Sequence, residues 1–112
     1  MITNLPQVIE SYFSASNAYD SRRLKECFTE DALLIDEEKE HHGPDEIDKQ
    51  ITGTNLEAQV KNQVIKVTEE KGAVIVTAIV SGNFDGSPVP LDFWFTLQEQ
   101  KIKRLEIVLS KP

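Results

Sequence analysis

The chain has 112 residues, room for one compact domain with one core, and its 39% hydrophobic and 28% charged side chains are ordinary globular usage. That composition excludes disorder and collagen-like repeats, and no apolar run approaches the roughly 18 residues a bilayer span demands. Nineteen acids against twelve bases give a formal net charge of -7, the wrong sign for gripping a phosphate backbone, so neither nucleic acid nor a membrane is an expected partner.

The first predicted helix follows a cap at Thr3 or Asn4, tolerates Pro6 in its first turn, and carries Leu5, Val8, Ile9, Tyr12, Phe13 and Ser16 on one face until about Tyr19. Asp20 then caps a second, short helix with Leu24, Cys27 and Phe28 on its inner face. Cys27 is the lone cysteine, so no disulfide can form within the chain, and it reads as a small buried hydrophobe. Ala32 to Ile35 is too brief an apolar run for a helix and suits a buried strand. Glu26 to Asp48 holds ten acids against Lys39 alone, spread over helix, strand and turn, which describes a solvated face and no metal site. Gly43-Pro44-Asp45-Glu46 opens a third helix: proline suits its first turn, acids suit its positive end, and Ile47 and Ile51 form its buried face.

From Gln59 onward the apolar period changes to two, and short turns separate four strands that pair most simply as an antiparallel meander. Ala73 to Val80 is apolar on both faces, which implies cover on both sides and makes a homodimer the expected assembly. Helices first and strands afterwards define an α+β domain over residues 1–112. With no basic flank leading into an apolar run at the N-terminus, a cytoplasmic location is the default.

Three polar groups interrupt this pattern: Tyr12 on the apolar helix face, Asp36 just after the Ala32 to Ile35 run, and Asp92 inside Val89-Pro90-Leu91-Asp92-Phe93-Trp94-Phe95. A carboxylate within a central strand must face water, find a partner or stay protonated. Alternation puts Asp92 with Trp94 and Thr96 on one face and Leu91, Phe93, Phe95 and Leu97 on the other. If the Trp94 face lines a cavity, Asp92 is a pocket carboxyl; if the Phe93 face is the core, Asp92 is a surface acid. His41 and His42 are adjacent, so a strand can turn only one of them inward, and His42 is a candidate ligand contact. No glycine-rich phosphate loop, nucleophile elbow or paired metal motif is present in the sequence, so no cofactor or metal is expected.

The run YFSASNAYDSRRLKECFTEDALLIDEE, Tyr12 to Glu38, resembles the opening of the nuclear transport factor 2-like superfamily, which includes ketosteroid isomerases and SnoaL-like polyketide cyclases. DEEKEHHGPDEI and SGNFDGSPVPLDFWFTL are similar to a SnoaL-like group within it. The resemblance spans nearly the whole chain and implies a cone-shaped α+β fold, three N-terminal helices packed on a curved antiparallel sheet. It sets Tyr12 on the oxyanion-hole tyrosine of bacterial ketosteroid isomerases and Asp36 on their general base, while Pro90-Leu91-Asp92 resembles the motif of their protonated second acid. Glu37-Glu38 departs from the proline that tends to follow that base.

By this resemblance Asp36 would remove a proton beside a substrate carbonyl, with Tyr12 and a neutral Asp92 holding the enolate oxygen. An apolar cavity built from Phe13, Phe28, Leu34 and Trp94 would select a small hydrophobic ligand. Two rivals share the scaffold: a non-catalytic ligand-binding or dimerisation module with Phe93, Phe95 and Leu97 at a subunit interface, and a hydrolase or dehydratase whose Asp36 or His42 activates water.

Overall fold

A computed structural model describes residues 5–110; the caps expected at Thr3 or Asn4 lie outside them. Helix α1 spans Gln7–Ala18 and stops at Tyr19, whose left-handed conformation turns its N–H back onto the carbonyls of Ala15 and Ser16. Asp20 caps α2, Ser21–Glu26, by accepting the Arg23 N–H at 3.2 Å. Strand β1, Phe28–Asp36, begins four residues before the expected apolar run, because Phe28 already pairs with Ile102 ahead of an irregularity in the ladder. A two-residue turn at Glu37 and Glu38, with φ of 53° and 66°, folds β1 onto β2, Lys39–His42.

Helix α3, Gly43–Ala58, therefore follows a hairpin, and the expectation of three N-terminal helices is corrected: two precede the sheet's first strands and the third comes after them. Pro44 sits in its first turn, with Asp45 and Glu46 at its positive end. Four long strands complete the chain: β3 Lys61–Glu70, β4 Ala73–Ser81, β5 Val89–Gln98 and β6 Lys101–Leu109. They form the expected meander, and β6 then pairs in parallel with β1, giving the order β2-β1-β6-β5-β4-β3. No helix among the described residues is long and apolar enough to cross a membrane.

The helices cover one face of this sheet. Tyr12 and Phe13 project from α1 onto Phe93 and Phe95, with ring centroids 5.0–6.4 Å apart across the cluster and mostly edge-to-face contacts. Val74, Val76, Ala78 and Val80 of β4 and Leu105 of β6 share that inner face with them. Phe93 and Phe95, 4% and 0% exposed, thus belong to the core of a single chain, which overturns the reading that set them in a subunit interface. Gly82 lets the loop after β4 press against the end of α3, where a Cβ would stand 2.7 Å from the Ala58 carbonyl oxygen, and Asn83 N–H donates to that oxygen at 2.7 Å.

Candidate active site

Between α1, α3 and the inner face of the sheet lies a cavity of about 950 Å³, at the upper end of ordinary small-molecule pockets. Its walls are mostly apolar, from Ile51, Val80, Phe84, Val89, Leu91, Phe93 and Ile107. Polar residues interrupt them, and two groups of these are built by facing elements of the fold.

The first contains Tyr12 and Asp36. Asp36 ends β1 and shares the parity of Leu34, so the strand turns both inward. Gln50 of α3 donates from Nε2 to Asp36 Oδ2 at 3.5 Å, a long contact. Burial pushes the Asp36 carboxyl above its ordinary value and the charge of Glu37 adds to this, while the Gln50 contact and His41 oppose it. Tyr12 is 1% exposed; burial first, then the Asp36 carboxylate, raises its phenol so far that the hydroxyl stays protonated. The pair therefore presents a carboxylate of strengthened basicity beside a neutral O–H donor.

The second group is built by Ser16 on α1 and Asn55 on α3, with Asn62 of β3 beside them. The sequence reading did not select Ser16, Gln50, Asn55 or Asn62 as site residues. A signal was present: Ser16 continues the Tyr12 face at i+4, and Asn55 continues the Ile47–Ile51 face, so each is a polar residue on an apolar stripe.

Asp92 is elsewhere. On β5 it pairs with Thr77 on the outer face of the sheet, and its Oδ1 accepts from Thr77 Oγ1 at 2.6 Å. Trp94 has the same parity and is likewise directed away from the cavity. The expectation of Asp92 as second oxyanion donor and Trp94 as a ligand platform is thereby corrected: Phe93 and Phe95 take the core face because the aromatic residues of α1 lie there. Phe13, Phe28 and Leu34, expected as cavity walls, are instead packed within the core, Phe28 edge-on to Tyr12 at 6.0 Å. His42 is corrected too: it pairs with Leu33 on the outward side, exposed, with Nε2 3.3 Å from Glu40 Oε1, and His41 is the histidine that turns inward opposite Leu34. The buried His41 Nε2 has no partner among the described residues.

Residues 9–105 match the family model of the SnoaL-like domain, and the chain belongs to that family. Among solved structures, a Sinorhizobium meliloti protein provisionally named a polyketide cyclase superposes with a TM-score of 0.88 at 35% identity, covering 93% of this chain and 95% of that one. A Catenulispora acidiphila protein with a ketosteroid isomerase-like fold gives 0.81 at 16% identity, covering 96% of this chain and 88% of that one. An Agrobacterium tumefaciens protein provisionally named an isomerase of the SnoaL-like family gives 0.76 at 14%, covering 94% and 96%. No match was found among curated proteins. The mixed α+β architecture, six strands and three helices, is thus that of nuclear transport factor 2-like proteins.

Proposed function

We propose that this protein is a small-molecule enzyme that performs cofactor-free acid–base enolisation on a hydrophobic carbonyl compound. Asp36, as carboxylate, takes the proton from the carbon next to the carbonyl; the C–H pair becomes the enolate C=C bond and the carbonyl π pair moves onto oxygen. The Tyr12 hydroxyl donates to that oxygen as its charge develops. Asp36 then returns the proton to carbon, at a different position for an isomerisation, and no electrons enter or leave. What supports the reading is that two residues twenty-four positions apart, both pushed upward in pKa by burial, share one apolar cavity.

The test is turnover of a β,γ-unsaturated ketone by wild type and Asp36→Asn. The expected result is a loss of about 10²–10⁴-fold in kcat, the usual worth of a positioned general base. Equal rates in the two proteins overturn the assignment.

A second reading, ligand binding without turnover, is favoured by Asp92 on the outer face, which removes one expected oxyanion donor. Tight ligand binding with no turnover by the wild type would establish it. Water activation by a joint Asp36–His42 pair finds no support, because His42 faces away from the cavity. The proposed assembly is a homodimer joined through the outer sheet face, on which Ile75, Ile79 and Trp94 lie and where Ile79 and Trp94 are half-buried; sedimentation of a monomer overturns it.

A further inference from the structure

The proposed chemistry uses Tyr12 and Asp36 and leaves the second polar group of the cavity without a task. That group is built with care. Asn55 is 6% exposed and Ser16 2%, and Asn55 Nδ2 donates to Ser16 Oγ at 2.8 Å and to the Ser16 carbonyl at 3.3 Å. Asn62 Nδ2 donates to the same Oγ at 3.3 Å and to Asn17 Oδ1 at 3.1 Å, while Asn17 grips the Asn62 backbone through its N–H at 2.8 Å and its carbonyl at 3.0 Å. Ser16 Oγ already accepts twice, so it has no lone pair to offer a ligand. Asn55 is different. Its amide protons are turned toward Ser16, and flipping the amide would set Oδ1 against the Ser16 carbonyl oxygen, acceptor on acceptor. Asn55 Oδ1 therefore remains an acceptor with no partner among the described residues, on a buried residue that lines the cavity.

The helices set its offset from the proposed chemistry. Tyr12 and Ser16 are one turn apart on α1, and Gln50 and Asn55 five residues apart on α3, so the Cα atoms within each pair are offset by about 6–8 Å along their helix axis. On α3, Ile51 and Thr54 line the cavity between them. The carboxyl-bearing residues Asp36, Glu37, Glu38, Asp85 and Glu106 line the cavity, and no Lys or Arg does so among the described residues, so an anionic ligand is repelled.

We propose that Asn55 is a specificity-determining residue, and that the substrate class is an uncharged cyclic ketone bearing a hydroxyl at the end remote from its carbonyl, a hydroxyl that donates to Asn55 Oδ1. The hydroxyl subsite is read from the cavity itself; calling the other end of the ligand a ketone rests on the enolisation reading above.

The test compares three planar probes whose first hydroxyl imitates an enol: 2-naphthol, 6-methoxy-2-naphthol and naphthalene-2,6-diol. Wild type is expected to bind the diol about tenfold tighter than either of the others, because only the diol can donate at the far end. Asn55→Ala is expected to bring the three together, and Asp36→Asn to preserve the preference. Should Asn55→Ala fail to fold, the side-chain amide signal of Asn55 in wild-type NMR provides the second readout, shifting with the diol and not with the ether. The proposal is overturned if the wild type shows no preference, if none of the probes binds, if the preference survives Asn55→Ala, or if the Asn55 signal ignores the diol. The two readings fail separately: a preference that follows Asn55 without any ketone turnover removes the enolisation and keeps the subsite, whereas turnover that depends on Asp36 without a preference removes the subsite alone.

Discussion

Asp36 and Asp92 are both strand aspartates embedded in apolar sequence, and the two faces of one sheet give them opposite fates. Asp36 points inward, where burial raises its carboxyl and Gln50 is its modest partner. Asp92 points outward, where the Thr77 hydroxyl bonds it at 2.6 Å. A carboxylate at a strand position acquires chemistry from the side of the sheet it faces, not from the apolar residues beside it in sequence. The sharpest way to break this comparison is to exchange the consequences: Asp92→Asn is expected to leave ketone turnover within about twofold of wild type, against the 10²–10⁴-fold loss expected for Asp36→Asn. Equal losses would show that the outer aspartate participates after all.

Tyr12→Phe is expected to have the next largest effect, a fall of about 10²–10³-fold in kcat, the usual worth of one oxyanion donor. Phenylalanine keeps the ring and its contacts with Phe13, Phe28, Phe93 and Phe95, so the midpoint of urea unfolding should move little. A large loss of stability with unchanged turnover would make Tyr12 a core residue only.

The pH dependence sharpens the same contrast. Because the folded carboxyl of Asp36 titrates above the ordinary value near 3.9, the acid limb of kcat/KM should lie above the range of a free aspartate. The native state holds that proton more tightly than the unfolded chain. The stability this contributes is complete below the unfolded value and is lost as pH rises through the folded one. Asp36→Asn should consequently be more stable than wild type at pH 7, with the gap closing in acid, as followed by denaturant unfolding at both pH values. A variant less stable than wild type at pH 7 would mean that the carboxylate is held by partners stronger than Gln50.

Much of this fold is legible in the sequence. Helical spacing marked α1 and α3, Asp20 capped α2 as its position suggested, and period-two runs marked the meander. The face on which Asp92 lies was not legible, for a physical reason. In β4 both parities are apolar, Val74, Val76, Ala78 and Val80 on one side and Ile75 and Ile79 on the other, so alternation could not tell inside from outside. Only the seating of Tyr12 and Phe13 against Phe93 and Phe95 decides it, and that contact is between elements eighty residues apart. The same parity chose His41 over its neighbour His42. Asn55 escaped notice because a polar residue ending an apolar stripe has no meaning until Ser16 is found opposite it.

The smallest effect concerns the turn that aims Asp36. Glu37 and Glu38 both adopt left-handed backbone, a conformation that costs an ordinary L-residue about 1–2 kcal/mol and that asparagine tolerates better. Glu37 also raises the Asp36 carboxyl by charge repulsion. Glu37→Asn therefore carries two separable consequences. Relief of the turn should add about 0.5–1 kcal/mol to unfolding stability in urea. Loss of the neighbouring charge should shift the acid limb of kcat/KM downward while leaving the plateau rate close to wild type, because burial, the larger cause, is untouched. If stability rises and the acid limb stays where it was, desolvation alone sets the basicity of Asp36; if the limb falls, the charged turn contributes to it.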